Sequence, residues 1–317
     1  LCKYRFLIHH RNLNFPVLNS DNSFFKEKEL DFIDLSPSSL SLSSTNTNEN
    51  KSFTKDHLLY CQDKYTSDKD RSFLNKNNTF PQITDIQTYI AETEKRVLEA
   101  FEKGSKLSPR IERSDQFLQQ HAGSKLKLVV LYVDLVDSTL MTRDFSVDKL
   151  ATIIQMFTQE MSVAATNFNG QVLKYVGDAV IAYFPIEVNN DSISCSSAIN
   201  CGFHMITIIE QGINPVLRRS NYDQIQVKIG IDASEHSIIQ YVLGEKSYID
   251  ILGYGISMAA KLTKLANPKQ IITSHGIYMN MHPSLRKRFS ELEIAPRIWK
   301  YTDEKIQPGV WKSLDKI

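Results

Sequence analysis

Two aspartates follow apolar segments whose order in the chain predicts that their side chains meet. Asp134 ends the apolar run 128–133, and Asp178 follows Gly177 in a tight turn between two short apolar segments. If the first strand lies beside this hairpin, both carboxylates reach one end of the sheet. Two carboxylates held close together repel each other unless a cation lies between them. The pair therefore predicts a divalent-metal site with oxygen ligands, of the kind that binds magnesium together with substrate phosphates.

The elements that must position these aspartates follow the order strand, helix, strand, tight turn, strand. Apolar residues recur on one face between 147 and 168, as is typical of an amphipathic helix. The two strands of the hairpin follow at 172–184. The pattern beyond the hairpin predicts, in order, a helix over 192–211, a loop through Pro215, Arg218 and Arg219, strands over 225–231 and 237–243, a turn over 244–247, a helix over 256–265, a strand over 270–273 and a last strand near Trp299 and Tyr301.

The sequence around the aspartates resembles the catalytic domain of class III nucleotidyl cyclases, which include adenylate and guanylate cyclases, of the archaeal or bacterial single-domain type. The matching segments are VDLVDST (133–139), GQVLKYVGDAV (170–180) and DILG (250–253), and the spacing between them also fits. The resemblance covers 125–275 and implies an α/β (α+β) fold, namely a ferredoxin-like βαββαβ domain with a mostly antiparallel sheet and helices on one face. It also implies a head-to-tail homodimer with its active sites at the interface, where one chain supplies the metal aspartates and the other the base-reading and transition-state residues.

The resemblance assigns metal and phosphate binding to residues on either side of the first strand's end and of the hairpin turn. In the family, aspartates at the positions of Asp134 and Asp178 hold two divalent cations, Mg²⁺ or Mn²⁺. One cation helps to deprotonate the 3′-hydroxyl of the nucleotide, and the other neutralises the triphosphate while pyrophosphate leaves. Leu135 is assigned to the metal site and Gly177 to substrate binding. Backbone N–H groups at a helix start, which suit anions, would contact the phosphates from Val136, Asp137, Ser138 and Thr139.

The resemblance also implies that Lys174 and Asp250 read the base. In adenylate cyclases, aspartate at this position accepts from the exocyclic amine of adenine, and lysine donates to a ring nitrogen. Guanylate cyclases typically place other residues there. Lys174 lies four residues before Asp178, as the adenine pattern requires, so the implied substrate is ATP.

Ser257 and Lys261 are the main departure from the family pattern. The family has asparagine, which orients the ribose, and arginine, which stabilises charge on the α-phosphate, seven and eleven residues after the position of Asp250. Serine keeps a shorter hydrogen-bonding group, and lysine keeps the charge but loses the planar fork of arginine. Loss of one such contact costs ~10²- to 10³-fold in rate. Asp250, Ser257 and Lys261 are expected to share one helix face, because spacings of seven and eleven residues are near whole helical turns.

Two smaller departures concern the phosphates. Asp137 stands where the family often has glycine, and a carboxylate near phosphates is unfavourable unless it points away or caps the helix. The family's late lysine-glycine segment, which contacts phosphate, is not recognisable in this sequence. Lys300 and Lys305 are poor substitutes for it.

Ordinary structural roles compete with each of these assignments. Asp134 and Asp178 would each favour a turn-forming role if taken alone, because aspartate is common in turns. Lys174 could be a solvated lysine on a hairpin. Asp232 and His236 lie near a strand and a turn, and we interpret both as structural.

Three functions remain open from the sequence. The first is an adenylate cyclase that makes cyclic AMP and pyrophosphate from ATP. The second is a catalytically weak or inactive homologue that binds ATP as a signalling module, which Ser257 and Lys261 favour and the intact pairs oppose. The third, a palm-type polymerase or diguanylate cyclase, is disfavoured because the chain has no Gly-Gly-Asp/Glu-Glu-Phe signature and no basic template groove.

Composition narrows the class of protein. The net charge is +1, and no long basic block occurs, so nucleic acid is not an expected partner. Four cysteines without a Cys-x-x-Cys pair argue against a zinc site and a disulfide framework, and a reducing cytoplasm is the simplest compartment. No apolar run approaches the ~20 residues of a membrane span, so no membrane insertion is expected.

The chain before the catalytic domain divides into two parts. Residues 1–80 are rich in serine and asparagine, and such a segment is expected to be disordered. Residues 81–123 predict a helical linker, with a helix near 83–102 that either dimerises as a short coil or packs on its own domain. The domain boundary is expected at 124, with the catalytic domain over 124–317.

Overall fold

An eight-stranded sheet forms the centre of the protein. The computed structural model describes residues 86–103, 110–187, 190–294 and 309–314. The predictions for the tail 1–80 and for Trp299, Lys300, Tyr301 and Lys305 lie outside these residues. The strands are β1 (Lys125–Leu135), β2 (Gln171–Val176), β3 (Ala179–Pro185), β4 (Val227–Leu243), β5 (Lys246–Gly253), β6 (Gln270–Ser274), β7 (Phe289–Glu291) and β8 (Val310–Ser313).

The strand order is β2-β3-β1-β4-β6-β8-β7, and β5 pairs with β4 outside this path. Every strand pair is antiparallel except β4 with β6. The first four strands in this order are those of a ferredoxin-like βαββαβ unit. The expected fold class and the mostly antiparallel sheet are therefore confirmed.

Nine α-helices are described, and most of them cover the two faces of the sheet. Their bounds are α1 (Ile86–Lys103), α2 (Arg110–Gln120), α3 (Ser138–Asp144), α4 (Val147–Asn167), α5 (Asp191–Thr207), α6 (Asn214–Arg219), α7 (Tyr254–Leu265), α8 (His275–Asn280) and α9 (Pro283–Arg286). Helix α4 begins where the sequence predicts, because the Ser146 side chain accepts a hydrogen bond from the Lys149 backbone N–H and so caps the helix.

Two predictions of local structure are wrong. The predicted loop through Pro215 is helical, since a π-helical stretch, Ile208–Ile213, joins α5 to α6 without a break. Pro215 lies just after the π-helical stretch, where the regular α-helical hydrogen-bond pattern is already interrupted. The two strands predicted over 225–231 and 237–243 are one strand, β4, because the polar residues between them also pair with β1.

The continuous helix from Asp191 to Arg219 is long and apolar enough, by length and composition, to cross a membrane. However, 72% of its most apolar part is buried inside the fold. Burial of this kind is typical of the core helix of a folded domain, which passes the same composition test.

Helices cover both faces of the sheet rather than the one face that we expected. Alternate side chains of β1 point to opposite faces, as they must in a strand. Val129, Leu131 and Val133 join a large core with α1, α4 and α5. Leu128 and Val130 join a second core with α2 and α7.

Helix α1 packs on its own domain. Val97 is fully buried in the large core, and the helix contacts α4, the π-helical stretch and α6. The Arg96 guanidinium donates to both carboxylate oxygens of Glu160, at 2.9 and 2.8 Å, and the Thr93 hydroxyl donates to one of them at 3.2 Å. Glu160 is only 1% exposed, so Arg96 and Thr93 supply the hydrogen bonds that water cannot.

Candidate active site

The sheet brings Asp134 and Asp178 to the same place. In the pairing of β1 with β3, Asp134 lies opposite Ala179, the residue directly after Asp178. The hairpin turn holds only Gly177 and Asp178, and Gly177 has φ of +64°, which a glycine at the first turn position adopts without strain. Both aspartates are half-buried, so their carboxylates combine a fixed backbone with access to a ligand.

Lys228 is a residue of this site that the sequence alone did not reveal. On the other side of β1, Asp134 lies opposite Lys228 of β4. Residues directly opposite in an antiparallel pair share one face of the sheet. A positive charge therefore lies beside Asp134, on the side away from Asp178. The strand was predicted, but its register against β1, which makes Lys228 a neighbour, is not visible in the strand pattern.

The carboxylate pair fits a hard divalent cation such as Mg²⁺ or Mn²⁺. Magnesium is commonly held by one or two carboxylates plus substrate phosphates and water, rather than by an all-protein cage. Within the described parts of the chain, no group of three or more His, Cys, Asp or Glu side chains is arranged to hold a metal. Two half-buried carboxylates therefore suit a cation that arrives with a phosphorylated substrate.

The segment after β1 turns sharply into α3. Leu135 is buried, and the Val136 N–H already donates to the Gln226 carbonyl at 2.9 Å. Asp137 adopts φ of 55° and ψ of 26°, the left-handed region that favours glycine and that aspartate tolerates better than most residues. Its side chain is exposed and does not cap α3. The left-handed backbone conformation of Asp137 therefore explains why the family often has glycine at this position. The Val136 N–H, in contrast, is already used within the protein.

A cavity of about 300 Å³ opens beside this segment, between α3 and the residues that lead into β4. Three carboxylates line it, from Asp137, Asp144 and Asp223. Two of these carboxylates have cationic partners, because Asp144 accepts from the Arg143 guanidinium at 2.7 Å and Asp223 lies 3.8 Å from the Lys149 ammonium.

Lys174 and Asp250 form an ion pair. The Lys174 ammonium donates to both carboxylate oxygens of Asp250, at 2.8 and 2.6 Å. The Ile251 backbone N–H donates to the same carboxylate at 2.8 Å and fixes its orientation. The side chains are 40% and 32% exposed, so a ligand can reach both. Lys174 lies opposite Ile181 of β3, on the face of the sheet that carries the second core.

Helix α7 carries Ser257 and Lys261 at a spacing of one helical turn. The helix lies directly on β4, because a Cβ on Gly230 would approach the Ala259 carbonyl to 2.1 Å. Ser257 is exposed and Lys261 half-buried. The expectation that Asp250 shares their helix face is wrong, because Asp250 lies in β5, and α7 begins only at Tyr254.

Asp232 and His236 lie inside the domain, beneath the start of α7 and beside β6. Burial raises the pKa of Asp232 to about 6, against the opposing effect of the neighbouring Ser274 hydroxyl. Burial also lowers the pKa of His236, whose ring packs against the backbone of Gly253 and Gly255. Both residues occupy packing positions, in line with the structural interpretation of the sequence.

The comparisons with known proteins agree with this arrangement. A family model for the adenylate and guanylate cyclase catalytic domain matches residues 120–294. The chain is 24% identical over 157 residues to the cytidylate cyclase of Escherichia coli, which covers 47% of this chain and 34% of that protein. It is 24% identical over 186 residues to the uridylate cyclase of Rhodovulum sp. (strain MB263), which covers 56% of this chain and 75% of that protein.

A solved structure has the same fold. The adenylyl cyclase CyaB from P. aeruginosa aligns with a TM-score of 0.51 at 16% identity and covers 61% of this chain and 96% of that chain. An identity this low shows the fold alone. The family model, in contrast, spans more than half of the chain and contains both aspartates, the Lys174–Asp250 pair and α7. The chain therefore belongs to the family of adenylate and guanylate cyclase catalytic domains, the class III nucleotidyl cyclases.

Proposed function

We propose that this protein is an adenylate cyclase, which converts ATP to cyclic AMP and pyrophosphate at a homodimer interface. The Lys174–Asp250 ion pair carries the proposal, because it joins one hydrogen-bond donor and one acceptor at a site that a base can reach. Resemblance to adenylate cyclases supports the same two residues as the readers of adenine.

The chemistry of the base edge explains this preference. Adenine presents an exocyclic amine beside a ring nitrogen that accepts, so aspartate and lysine can bond to them side by side. Guanine and uracil present the reverse order, a carbonyl oxygen beside a ring N–H. Cytosine shares the amine and the acceptor of adenine on a smaller ring. Since the Escherichia coli relative is named a cytidylate cyclase, CTP is the second candidate substrate.

The proposed mechanism divides the work among the chain's own residues. Asp134 and Asp178 would hold Mg²⁺ or Mn²⁺, which supplies Lewis-acid stabilisation of the reacting oxygens when bound. Lys228 supplies a fixed positive charge beside Asp134 for the triphosphate. Lys174 and Asp250 orient the base. Ser257 positions the ribose through its hydroxyl, and Lys261 stabilises the charge that develops on the α-phosphate.

A second copy of the chain is the proposed partner. Only residues 227–237 of β4 pair with β1, so the rest of β4 and β5 form an arm that extends beyond the first strand. Large apolar side chains on the arm and just after it are exposed. A cluster of this kind marks an interaction surface. The exposed residues are Tyr241, Val242, Tyr248, Leu252 and Tyr254.

The first experiment is product formation by the purified protein with each of the four nucleoside triphosphates and Mg²⁺ or Mn²⁺. Asp134→Ala serves as the blank. Cyclic AMP above the blank supports the proposal, and cyclic CMP as the main product would replace it with the second candidate. No product together with metal-dependent ATP binding would instead identify the non-catalytic ATP-binding alternative.

We expect Lys174→Glu to change the base that the enzyme prefers. Glutamate cannot donate to the ring nitrogen of adenine, but it can accept from the ring N–H of guanine, so kcat/KM should shift from ATP toward GTP. The shift should be about 10- to 100-fold, the discrimination of one good pair of hydrogen bonds to a base. Lys287→Glu makes the same charge change at an exposed site and is the control. Unchanged selectivity in Lys174→Glu would remove its role in reading the base.

A further inference from the structure

Helix α2 lies across the two strands that carry the base-reading residues. It packs on β2, which holds Lys174, and on β5, which holds Asp250. We infer that α2 sets the position of this ion pair, and that Leu118 is the positioning residue through which it acts. This inference rests on the proposed function of the pair.

The packing beneath the pair supports this role. Leu118 is fully buried in the second core, in the same cluster as Leu173 and Ile251. Leu173 directly precedes Lys174, and Ile251 directly follows Asp250. Leu118 therefore belongs to the same buried cluster as the immediate neighbours of both base-reading residues, and its helix packs on the two strands that carry them, which do not pair with each other.

The local structure of β2 makes the position of Lys174 sensitive to this packing. The register of β2 against β3 shifts between Val172 and Lys174, so Leu173 lies in an irregular step of the strand. At an irregularity of this kind the ladder bonds are disrupted, and the side chain's direction depends more on its packing. Leu173 is nevertheless only 6% exposed and belongs to the cluster that α2 covers.

The ion pair cannot hold this geometry alone. Both of its side chains are about a third or more exposed, and exposed ion pairs contribute little to rigidity because water competes with them. The buried apolar contacts behind the pair are therefore the firmer constraint on where the ammonium and the carboxylate stand.

Hydrogen bonds hold α2 at its middle and just after its end. Near the middle, the Ser114 hydroxyl donates to the Tyr183 hydroxyl at 3.0 Å, and Tyr183 donates to the Gln171 side chain at 3.2 Å. Just after the end, the Gly123 N–H donates to the Ile238 carbonyl, and the Ile238 N–H donates to the Ser124 carbonyl. A displacement of α2 would thus move β2 and β4 together with the cluster around Leu118.

The test measures base preference in the full chain with Leu118→Ala. The probes are the 2′,3′-dideoxy forms of ATP, GTP, CTP and UTP, which lack the attacking 3′-hydroxyl and cannot be cyclised. Their dissociation constants, measured with Mg²⁺ by calorimetry, give the base preference without turnover. Leu217→Ala is the matched control, because Leu217 is also fully buried but lies in the large core on the opposite face of the sheet.

We expect Leu118→Ala to lower the ratio of dissociation constants that favours the preferred base by about tenfold. For comparison, a misplacement of about 1 Å can reduce a reaction rate by as much as 10²-fold. Leu217→Ala should lose similar stability and keep the wild-type preference. Leu118→Met, which keeps the volume, should restore it. If Leu118→Ala does not fold, Leu118→Val provides a smaller truncation with the same expected direction.

The outcomes separate this inference from the proposed function. A wild-type protein that discriminates among the four probes, with Leu118→Ala discriminating equally well, would overturn the role of α2 alone. A wild-type protein that binds no probe, or binds all four equally, would overturn both. Equal loss of preference in Leu217→Ala would show that general destabilisation, rather than α2, is the cause.

Discussion

Asparagine in place of Asp134 should reduce cyclic-nucleotide formation by at least about 10³-fold, because the substitution removes a negatively charged oxygen ligand at the centre of the site. Asparagine has the size and shape of aspartate, and Asp134 lies within the register of β1 against β3 and β4. The fold should therefore be kept, as circular dichroism would show. The activity should not return with excess Mg²⁺ or Mn²⁺.

Two further variants sharpen this result. Asp223→Asn makes the same chemical change at an exposed position and should leave activity unchanged. Lys228→Ala should mainly raise KM, because a fixed charge beside the carboxylates acts on the bound triphosphate before and during the reaction. Wild-type activity in Asp134→Asn would remove the metal assignment.

The same variant tests whether the active sites are shared between two chains. In a head-to-tail dimer, a site with Asp134 from one chain would take Lys261 from the other. Mixing inactive Asp134→Asn and Lys261→Ala chains should then restore about a quarter of the activity, because half of the dimers are mixed and each mixed dimer has one complete site. No recovery on mixing would contradict the shared site.

Restoring the family residues on α7 should increase turnover. With Ser257→Asn and Lys261→Arg combined, we expect kcat to rise by about 10²-fold, since arginine offers the α-phosphate a planar fork with two parallel N–H donors that lysine lacks. Both positions lie on the accessible side of α7, so the larger side chains should fit without disturbing the core. Steady-state kinetics with ATP and Mn²⁺ would measure the change.

Lys264→Arg is the control for this variant. Lys264 is exposed in the last turn of the same helix, and the same exchange there should not alter kcat. If the double variant gains no more than this control, Ser257 and Lys261 do not face the reacting phosphate. A lower KM with unchanged kcat would mean that the two residues bind the substrate and the transition state equally.

The sequence was sufficient to predict that Asp134 and Asp178 lie at the same end of the sheet, for physical reasons. The Gly177-Asp178 turn and the apolar run before Asp134 are local signals, and a hairpin beside a buried strand leaves few ways to pair them. Lys174 and Asp250 are 76 residues apart, and only the family resemblance connected them before the structure did.

Other features depend on contacts that no local pattern contains. The left-handed conformation of Asp137 and the continuation of the helix through Pro215 reflect the surrounding packing rather than residue preference. The unbroken path of β4 through Asp232 depends on its partner strand and on α7 above it. Lys228 lies beside Asp134 because of the register of β4 against β1. Leu118 lies in the cluster behind the ion pair because of the packing of α2.

The bond between Arg96 and Glu160 sets a limit on how far the chain can be shortened. Removing residues before the first strand would delete Arg96 and Thr93 and leave a buried carboxylate without its partners. Breaking a buried pair in this way costs about 3–5 kcal/mol, which is a large part of the stability of a typical domain. For expression of an autonomous catalytic fragment, the practical first residue therefore lies ahead of Ile86 rather than at Lys125.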